Sequence, residues 1–236
     1  MNVKARIRNY WDRRSESYDR SPGHVCIPEV WRSVLGEVFE DKARIIDVGT
    51  GTGFISGILA ELGHEVVGLD ISSGMMGVAR EKLGDRVEFV LGDAESLPFR
   101  DGSFDAVVCR HLLWTLPDPE RAISEWVRVA GEKVVIFDGR WVGDSLASKL
   151  RRKAGRILIG IYERRFRFHY DREIRELLPF HGGVDLETLL GVCRAMGLNA
   201  RARDMSWLRK MQRKSMPLVY RIYSESEYFM VEIDVG

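Results

Sequence analysis

Arg44-Ile-Ile-Asp-Val-Gly-Thr-Gly-Thr-Gly-Phe-Ile-Ser-Gly-Ile-Leu-Ala-Glu-Leu62 is the stretch that decides the fold. Its first five residues are a short apolar run ended by Gly49, the pattern of a buried strand entering a tight turn. Residues 54–62 then read as a helix, with Gly63 as its stop. Downstream, strands are expected at 65–69, 87–91, 104–109 and 133–137, with helices at 74–83 and 119–129 between them. Alternation at this pitch specifies βαβ units and a parallel sheet. The runs IIDV, VVGL and VVIF are continuously apolar, as strands buried on both faces should be. Upstream, residues 1–20 read as an irregular or short helical arm carrying Tyr10, Trp11 and Tyr18, followed by a helix at 28–39. After Gly139 the pattern breaks. Residues 140–180 are basic, aromatic and helix-prone, the look of an inserted cap, before a last helix at 186–196 and strands at 198–203 and 228–235.

The chain has 236 residues, 45% apolar and 30% charged, enough for one large domain. Three scattered cysteines exclude a disulfide framework and any CxxC metal pair, so no metal site is expected. The N-terminal residues lack an apolar leader core, and no stretch approaches the ~18 apolar residues of a spanning helix. A soluble, cytoplasmic protein is expected. Residues 1–138 carry 17 Lys+Arg against 23 Asp+Glu, whereas residues 139–236 carry 19 against 12. Such a split suggests different jobs for the two parts. The expected division is an arm with lid helices (1–40), a ligand-binding core (41–139), a helical cap forming most of a substrate pocket (140–183), and a helix with strands completing the sheet (184–236).

Asp47-Val-Gly-Thr-Gly-Thr-Gly53 falls at the carboxyl end of the first strand, where an open α/β sheet binds its ligand. Alternate glycines let the backbone turn sharply and approach that ligand. A dinucleotide fingerprint needs GxGxxG, but the third position holds Phe54 or Ser56, depending on register. Asp47 adds a carboxylate that opposes a pyrophosphate and suits an ammonium or sulfonium. Asp70 ends the second strand, where a carboxylate can accept both hydroxyls of a ribose. Gly92-Asp93-Ala94-Glu95 places another acid on the same rim. These positions describe a slot for a cationic amino acid joined to an adenosine.

With these motifs the chain resembles the class I S-adenosylmethionine-dependent methyltransferases, in the branch of the ubiquinone/menaquinone methyltransferases. DVGTGTG, VVGLDIS, GDAESLPF and FDAVVCRHLLWTLPDPERAISEWVRV match four family motifs in order, over about residues 10–138. The resemblance implies a Rossmann-like, doubly wound, seven-stranded α/β sheet, mostly parallel with the last strand antiparallel, and a helical cap inserted after strand five. It implies S-adenosylmethionine as cofactor and S-adenosylhomocysteine as product. By the same similarity Asp47, Gly49, Thr50, Gly51 and Gly53 hold the methionine moiety and Asp70 the ribose, with Ile71 and Met75 beside the adenine. Asp93 and Ala94 read the adenine edge, Arg110 lines the floor, and Tyr18 closes over the cofactor. One departure bears on the acceptor. Cys109-Arg-His-Leu-Leu-Trp114 replaces the Gly-Leu-Arg-Asn type of sequence usual in quinone methyltransferases, which argues against a quinone. A second, the short Val129-Ala-Gly-Glu-Lys133 loop without a proline, is remote from the cofactor.

The expected reaction is in-line transfer of a methyl group to a small-molecule acceptor. His111 is the candidate general base, because it follows the fourth strand where the methyl group should point. Trp114 and the cap aromatics Phe166, Phe168 and Tyr170 are candidate acceptor walls, with His24, His169 and His181 as further histidine candidates. Residues 149–175 hold ten Lys+Arg and three acids. They read first as the solvated face of a cap helix, with a small anionic substrate or nucleic acid as alternatives. Nucleic acid is not the expected partner, and no oligomeric state follows from the sequence. A tRNA or protein methyltransferase and a non-catalytic cofactor-binding regulator are the competing functions.

Overall fold

The computed structural model describes residues 2–21, 25–140, 153–155, 157, 158, 170, 172–221 and 227–236. In chain order the elements are α1 (Val3–Tyr18), α2 (Pro28–Val38), β1 (Arg44–Val48), α3 (Phe54–Glu61), β2 (Glu65–Asp70), α4 (Ser73–Leu83), β3 (Glu88–Leu91), β4 (Phe104–Arg110) and α5 (Pro119–Val129). They continue with β5 (Ala130–Arg140), α6 (Arg172–Glu176), α7 (Leu186–Ala195), β6 (Asn199–Asp204), α8 (Ser206–Ser215), α9 (Leu218–Arg221) and β7 (Glu227–Asp234).

The seven strands form one sheet in the order β3-β2-β1-β4-β5-β7-β6. Neighbours from β3 through β5 pair in parallel, and β7 is antiparallel to both β5 and β6. The chain therefore winds outward in one direction from β1 to β3 and in the other from β4, leaving a switch point between β1 and β4. A crevice forms there because the connections leave on opposite faces. Both faces are covered. Trp31 and Leu35 of α2, Ile58 and Leu59 of α3 and Leu208 of α8 pack on one. Ile123 and Trp126 of α5 and Leu189 and Cys193 of α7 pack on the other.

Side-chain caps start several helices where the sequence offers an acceptor. Ser72 accepts from the Met75 N–H at 3.1 Å, Asp118 from Arg121 at 3.0 Å and Asp185 from Thr188 at 2.9 Å. Four elements differ from expectation. The arm at 1–20 is a 16-residue helix, begun by the Asn2 side chain accepting from the Lys4 N–H. Ile7, Tyr10, Trp11, Arg14 and Tyr18 follow helical spacing, a period masked because Arg14 occupies one of its buried positions. Strand β5 runs 11 residues and continues through Gly139, where a Cβ would meet Glu227 O at 2.1 Å. Helices α8 and α9 were not anticipated. Most of the expected cap at 140–183, including Phe166, Phe168 and His169, lies outside the described residues, as does His24.

Candidate active site

The carboxyl ends of β1, β2, β3 and β4 frame an open cleft. Gly49 and Gly51 line it with φ of 74° and 57°, conformations costly for other residues. At Gly49 a Cβ would stand 2.8 Å from a Leu112 methyl, so only glycine lets the β4 exit pack against this turn. Their neighbours are held from β2: Leu69 O accepts from the Gly49 and Thr50 N–H groups at 2.8 and 3.0 Å.

Asp70 anchors the turn to the next strand. Its Oδ2 accepts from the Gly51 N–H at 2.9 Å and its Oδ1 from the Ser72 N–H at 2.8 Å. Burial pushes the carboxyl up to about 6, against the pull of those two donors. Ile71 and Met75 line the cleft beside it. Asp47 faces away from the cleft surface and secures α3, its Oδ2 accepting from the Ser56 N–H at 3.1 Å and hydroxyl at 2.6 Å. Thr50 Oγ1 joins the same network through Ser56 Oγ at 2.7 Å. Burial raises the Asp47 carboxyl while the hydroxyls of Ser56 and Thr50 lower it. Gly53 likewise lies behind the cleft, its position meeting Leu83 and Ala79 of α4.

Asp93, Ala94 and Glu95 form the far rim. Asp93 Oδ1 accepts from the Glu95 N–H at 3.0 Å, and Ala94 O accepts from Trp126 Nε1 at 3.0 Å, fixing this loop to α5. Arg110 reaches the cleft with its guanidinium stacked on Phe54 (4.8 Å) and Trp31 (5.0 Å). His111 is the first residue after β4, with φ 58°. Its N–H donates to Phe137 O at 2.9 Å, and its Nε2 lies 3.5 Å from the Tyr228 hydroxyl. His111 lines the cleft, and its ring packs on Tyr228 of β7 with centroids 5.2 Å apart.

Helix α1 covers the cleft, contributing Lys4, Ile7, Trp11 and Tyr18 to its lining. Asp12 Oδ1 accepts from the Ser72 hydroxyl at 2.7 Å and from the Gly74 N–H at 3.0 Å. Asp19 accepts from the Thr52 hydroxyl at 2.6 Å and from Lys82 Nζ at 2.7 Å. Burial raises the Tyr18 phenol, with Arg110 and Arg14 opposing the rise. Trp114 does not line the cleft; its Nε1 donates to His111 O at 2.9 Å, and its ring packs on Trp11 and Tyr170. Tyr170 is buried against Tyr10 and Trp11, its hydroxyl on Thr115. His181 sits in the turn before α7, away from this lining.

Lys4, Asp12, Asp138 and Tyr228 escaped sequence reasoning. Lys4 and Asp12 read as ordinary charges of an arm until α1 is recognised as a helix laid on the rim. Asp138 is fully buried at the end of β5, where Oδ2 accepts from the Leu113 N–H at 3.3 Å and Oδ1 from the Gly139 N–H at 2.8 Å. Burial pushes its carboxyl up to about 7. No cluster of three potential metal ligands occurs among the described residues, and no helix among them is long and apolar enough to cross a membrane.

Residues 46–136 match the family model described as a methyltransferase domain. The chain is 39% identical over 136 residues to a demethylmenaquinone methyltransferase of Clavibacter sepedonicus, covering 54% of this chain and 56% of that protein. It is 30% identical over 189 residues to the demethylmenaquinone methyltransferase of Thermotoga maritima, covering 77% and 75%. The chain covers about half the length of the first curated relatives it matches. Among solved structures, magnesium protoporphyrin IX methyltransferase from Synechocystis with S-adenosylmethionine bound shares the fold, with a TM-score of 0.61, 16% identity and coverage of 100% and 98%. A switch-point cleft on a seven-stranded sheet is the fold shared with that structure, and the sequence relatives give the class. The chain belongs to the class I S-adenosylmethionine-dependent methyltransferases, in the branch of the ubiquinone/menaquinone methyltransferases, a family that uses S-adenosylmethionine.

Proposed function

We propose that the protein transfers a methyl group from S-adenosylmethionine to a small-molecule acceptor. The observation that carries this is the cleft itself, in which the glycine turn, Asp70 and the Asp93–Ala94 rim line one continuous surface. The residues fit the cofactor. A Cβ at Gly51 would find only Gly49 O within 4 Å, at 3.9 Å, so the space a side chain would fill is left to a ligand. The carboxylates supply acceptors for ribose hydroxyls and an adenine amino group, and aromatic rings from α1 close the open side.

When bound, S-adenosylmethionine supplies a methyl carbon already activated by a sulfonium. The chain's part is alignment, exclusion of water and handling of one proton. Asp70 takes the ribose hydroxyls, while Gly49 and Gly51 bring backbone beside the methionine moiety. Asp47 and Thr50 act from behind by holding that turn on α3. Asp93 and the Ala94 N–H meet the adenine edge; Ile71 and Met75 flank the ring. Tyr18, Trp11 and Ile7 shut out water, which strengthens every charge interaction inside. Alignment of this kind is worth ~7–11 kcal/mol. His111 accepts the proton of a hydroxyl, enol or amine acceptor, a contribution of roughly 10²–10⁴-fold.

A demethylated naphthoquinol is the first acceptor to try, because the relatives named above are demethylmenaquinone methyltransferases. The Cys109–Trp114 segment favours testing phenolic and amine acceptors beside it. Three free cysteines suit a reducing, cytoplasmic setting. Incubation with S-adenosylmethionine and an acceptor panel, read as S-adenosylhomocysteine formed, tests the function. Tight cofactor binding with no turnover on any acceptor would favour a non-catalytic regulator. Comparable binding of NAD would overturn the cleft assignment.

A further inference from the structure

Helix α1 carries a charge into the cleft that no family motif supplies. Lys4 lines the cleft together with Asp93, Ala94 and Glu95. Its Nζ stands 2.6 Å from Asp93 Oδ2 and 2.5 Å from Glu95 Oε2. Each carboxylate is also held from its other side. Asp93 Oδ1 accepts from the Glu95 N–H at 3.0 Å, and Glu95 Oε1 accepts from the Asp118 N–H at 2.8 Å. A carboxylate oxygen has two lone-pair sites, so Asp93 Oδ2 can accept from Lys4 and still meet another donor. The ammonium is shared between two acids that would otherwise repel each other. Burial alone would lower the Lys4 pKa, but the bonds to Asp93 and Glu95 raise it, so the ammonium stays charged at neutral pH. The base of α1 does not depend on this contact, because Asp12 and Asp19 pin the helix to α4 and the glycine turn.

We propose that Lys4 is a positioning residue for the adenine end of the cofactor. It holds the Asp93 carboxylate in one orientation, neutralises Glu95 beside it, and so sets the acceptor that a 6-amino group meets. Recognition of the base is thereby tied to docking of α1. The inference rests on the cofactor assignment proposed above.

Calorimetric titration with S-adenosylhomocysteine and with its inosine analogue, in which a 6-oxo group replaces the 6-amino group, tests it. The wild type should prefer the adenosine compound. Lys4→Met keeps the length and apolar stem but removes the charge. It should weaken the adenosine compound about tenfold, the worth of one charge-assisted contact, and leave the inosine compound nearly unchanged. Lys4→Arg should restore most of the preference. Parallel losses for both compounds would overturn the inference, because Lys4 would then only stabilise the helix. Tighter binding of the adenosine compound by Lys4→Met would overturn it too, because Lys4 would be a competing latch. Failure of the wild type to bind either compound would overturn the cofactor assignment and the inference together.

Discussion

Asp70 is a buried carboxylate whose two oxygens already accept N–H groups from Gly51 and Ser72. In the cofactor placement proposed above, ribose hydroxyls would add to that set, bonding the ionised form. Asp70→Ala should therefore weaken S-adenosylmethionine by ~1.5–3 kcal/mol, measured by titration calorimetry. With its pKa at about 6, the carboxyl must lose a proton before binding in mildly acid solution. Cofactor affinity of the wild type should rise with pH up to about 6 and level off above it, and the rise should vanish in Asp70→Ala. Asp138 gives a second pH signature, in stability rather than affinity. Its folded pKa, at about 7, lies above the ordinary value of 3.8, so the folded state binds the proton more tightly than the unfolded chain. Stability from this group is then greatest at low pH, falls between about 4 and 7, and is flat above. The melting temperature of the wild type minus that of Asp138→Asn should decline over pH 5–7 and stay constant from 7.5 to 9. A difference that rises with pH would contradict the burial described for Asp138.

Helix α1 lies over the cleft, with Lys4, Ile7, Trp11 and Tyr18 in its lining. It is tied to the core by polar contacts at Lys4, Asp12 and Asp19 and by the aromatic cluster of Tyr10, Trp11, Trp114 and Tyr170. Its mean hydrophobic content is low, so packing against α4 and these rings, not intrinsic helix stability, holds it in place. Elements tied by few buried groups open at low free energy. Amide exchange over residues 3–18 should slow markedly when cofactor is added, while β4 and β5 remain equally protected with and without it. Equal exchange of α1 in both states would remove the lid. Helical period in this element was hidden because two of its buried positions are Arg14 and Ser15; burial of a guanidinium beside Tyr18 becomes intelligible only once the helix is docked.

Across the whole molecule, the excess of basic charge lies in residues 139–236 while the chain as a whole is only +1. Several of those arginines are committed to partners. Arg201 bonds Asp234, Arg203 bonds Glu37, and Arg209 is buried with its guanidinium over Tyr228. Arg201 and Arg203 lie on the exposed β6, where charge protects a sheet edge from pairing with other chains. Binding to tRNA should accordingly be weak and unsaturable near 0.15 M salt. Affinity that falls with salt as if six or more phosphates were neutralised would instead revive an RNA substrate.

The alternation of apolar runs and helical periods was sufficient for the βαβ core, because a strand buried on both faces must be apolar throughout and a turn at its end needs glycine. The rim of the cleft was legible for the same reason. Gly49, Gly51, Asp70 and Asp93 sit at strand ends, and strand ends can be counted along a chain. Contacts between distant segments leave no such local mark. Lys4 meets Asp93 across 89 positions, Asp12 caps α4 across 62, and Tyr228 reaches His111 across 117. Asp47, placed on the rim by spacing, instead turns inward because the Ser56 N–H and hydroxyl beneath it satisfy a buried carboxylate better than the open cleft. The extension of β5 through Gly139 likewise depends on β7 lying close enough to exclude a side chain. Local periodicity therefore determines which elements form and where their ends fall; which charges meet at those ends is set by the packing of α1 and β7 against them.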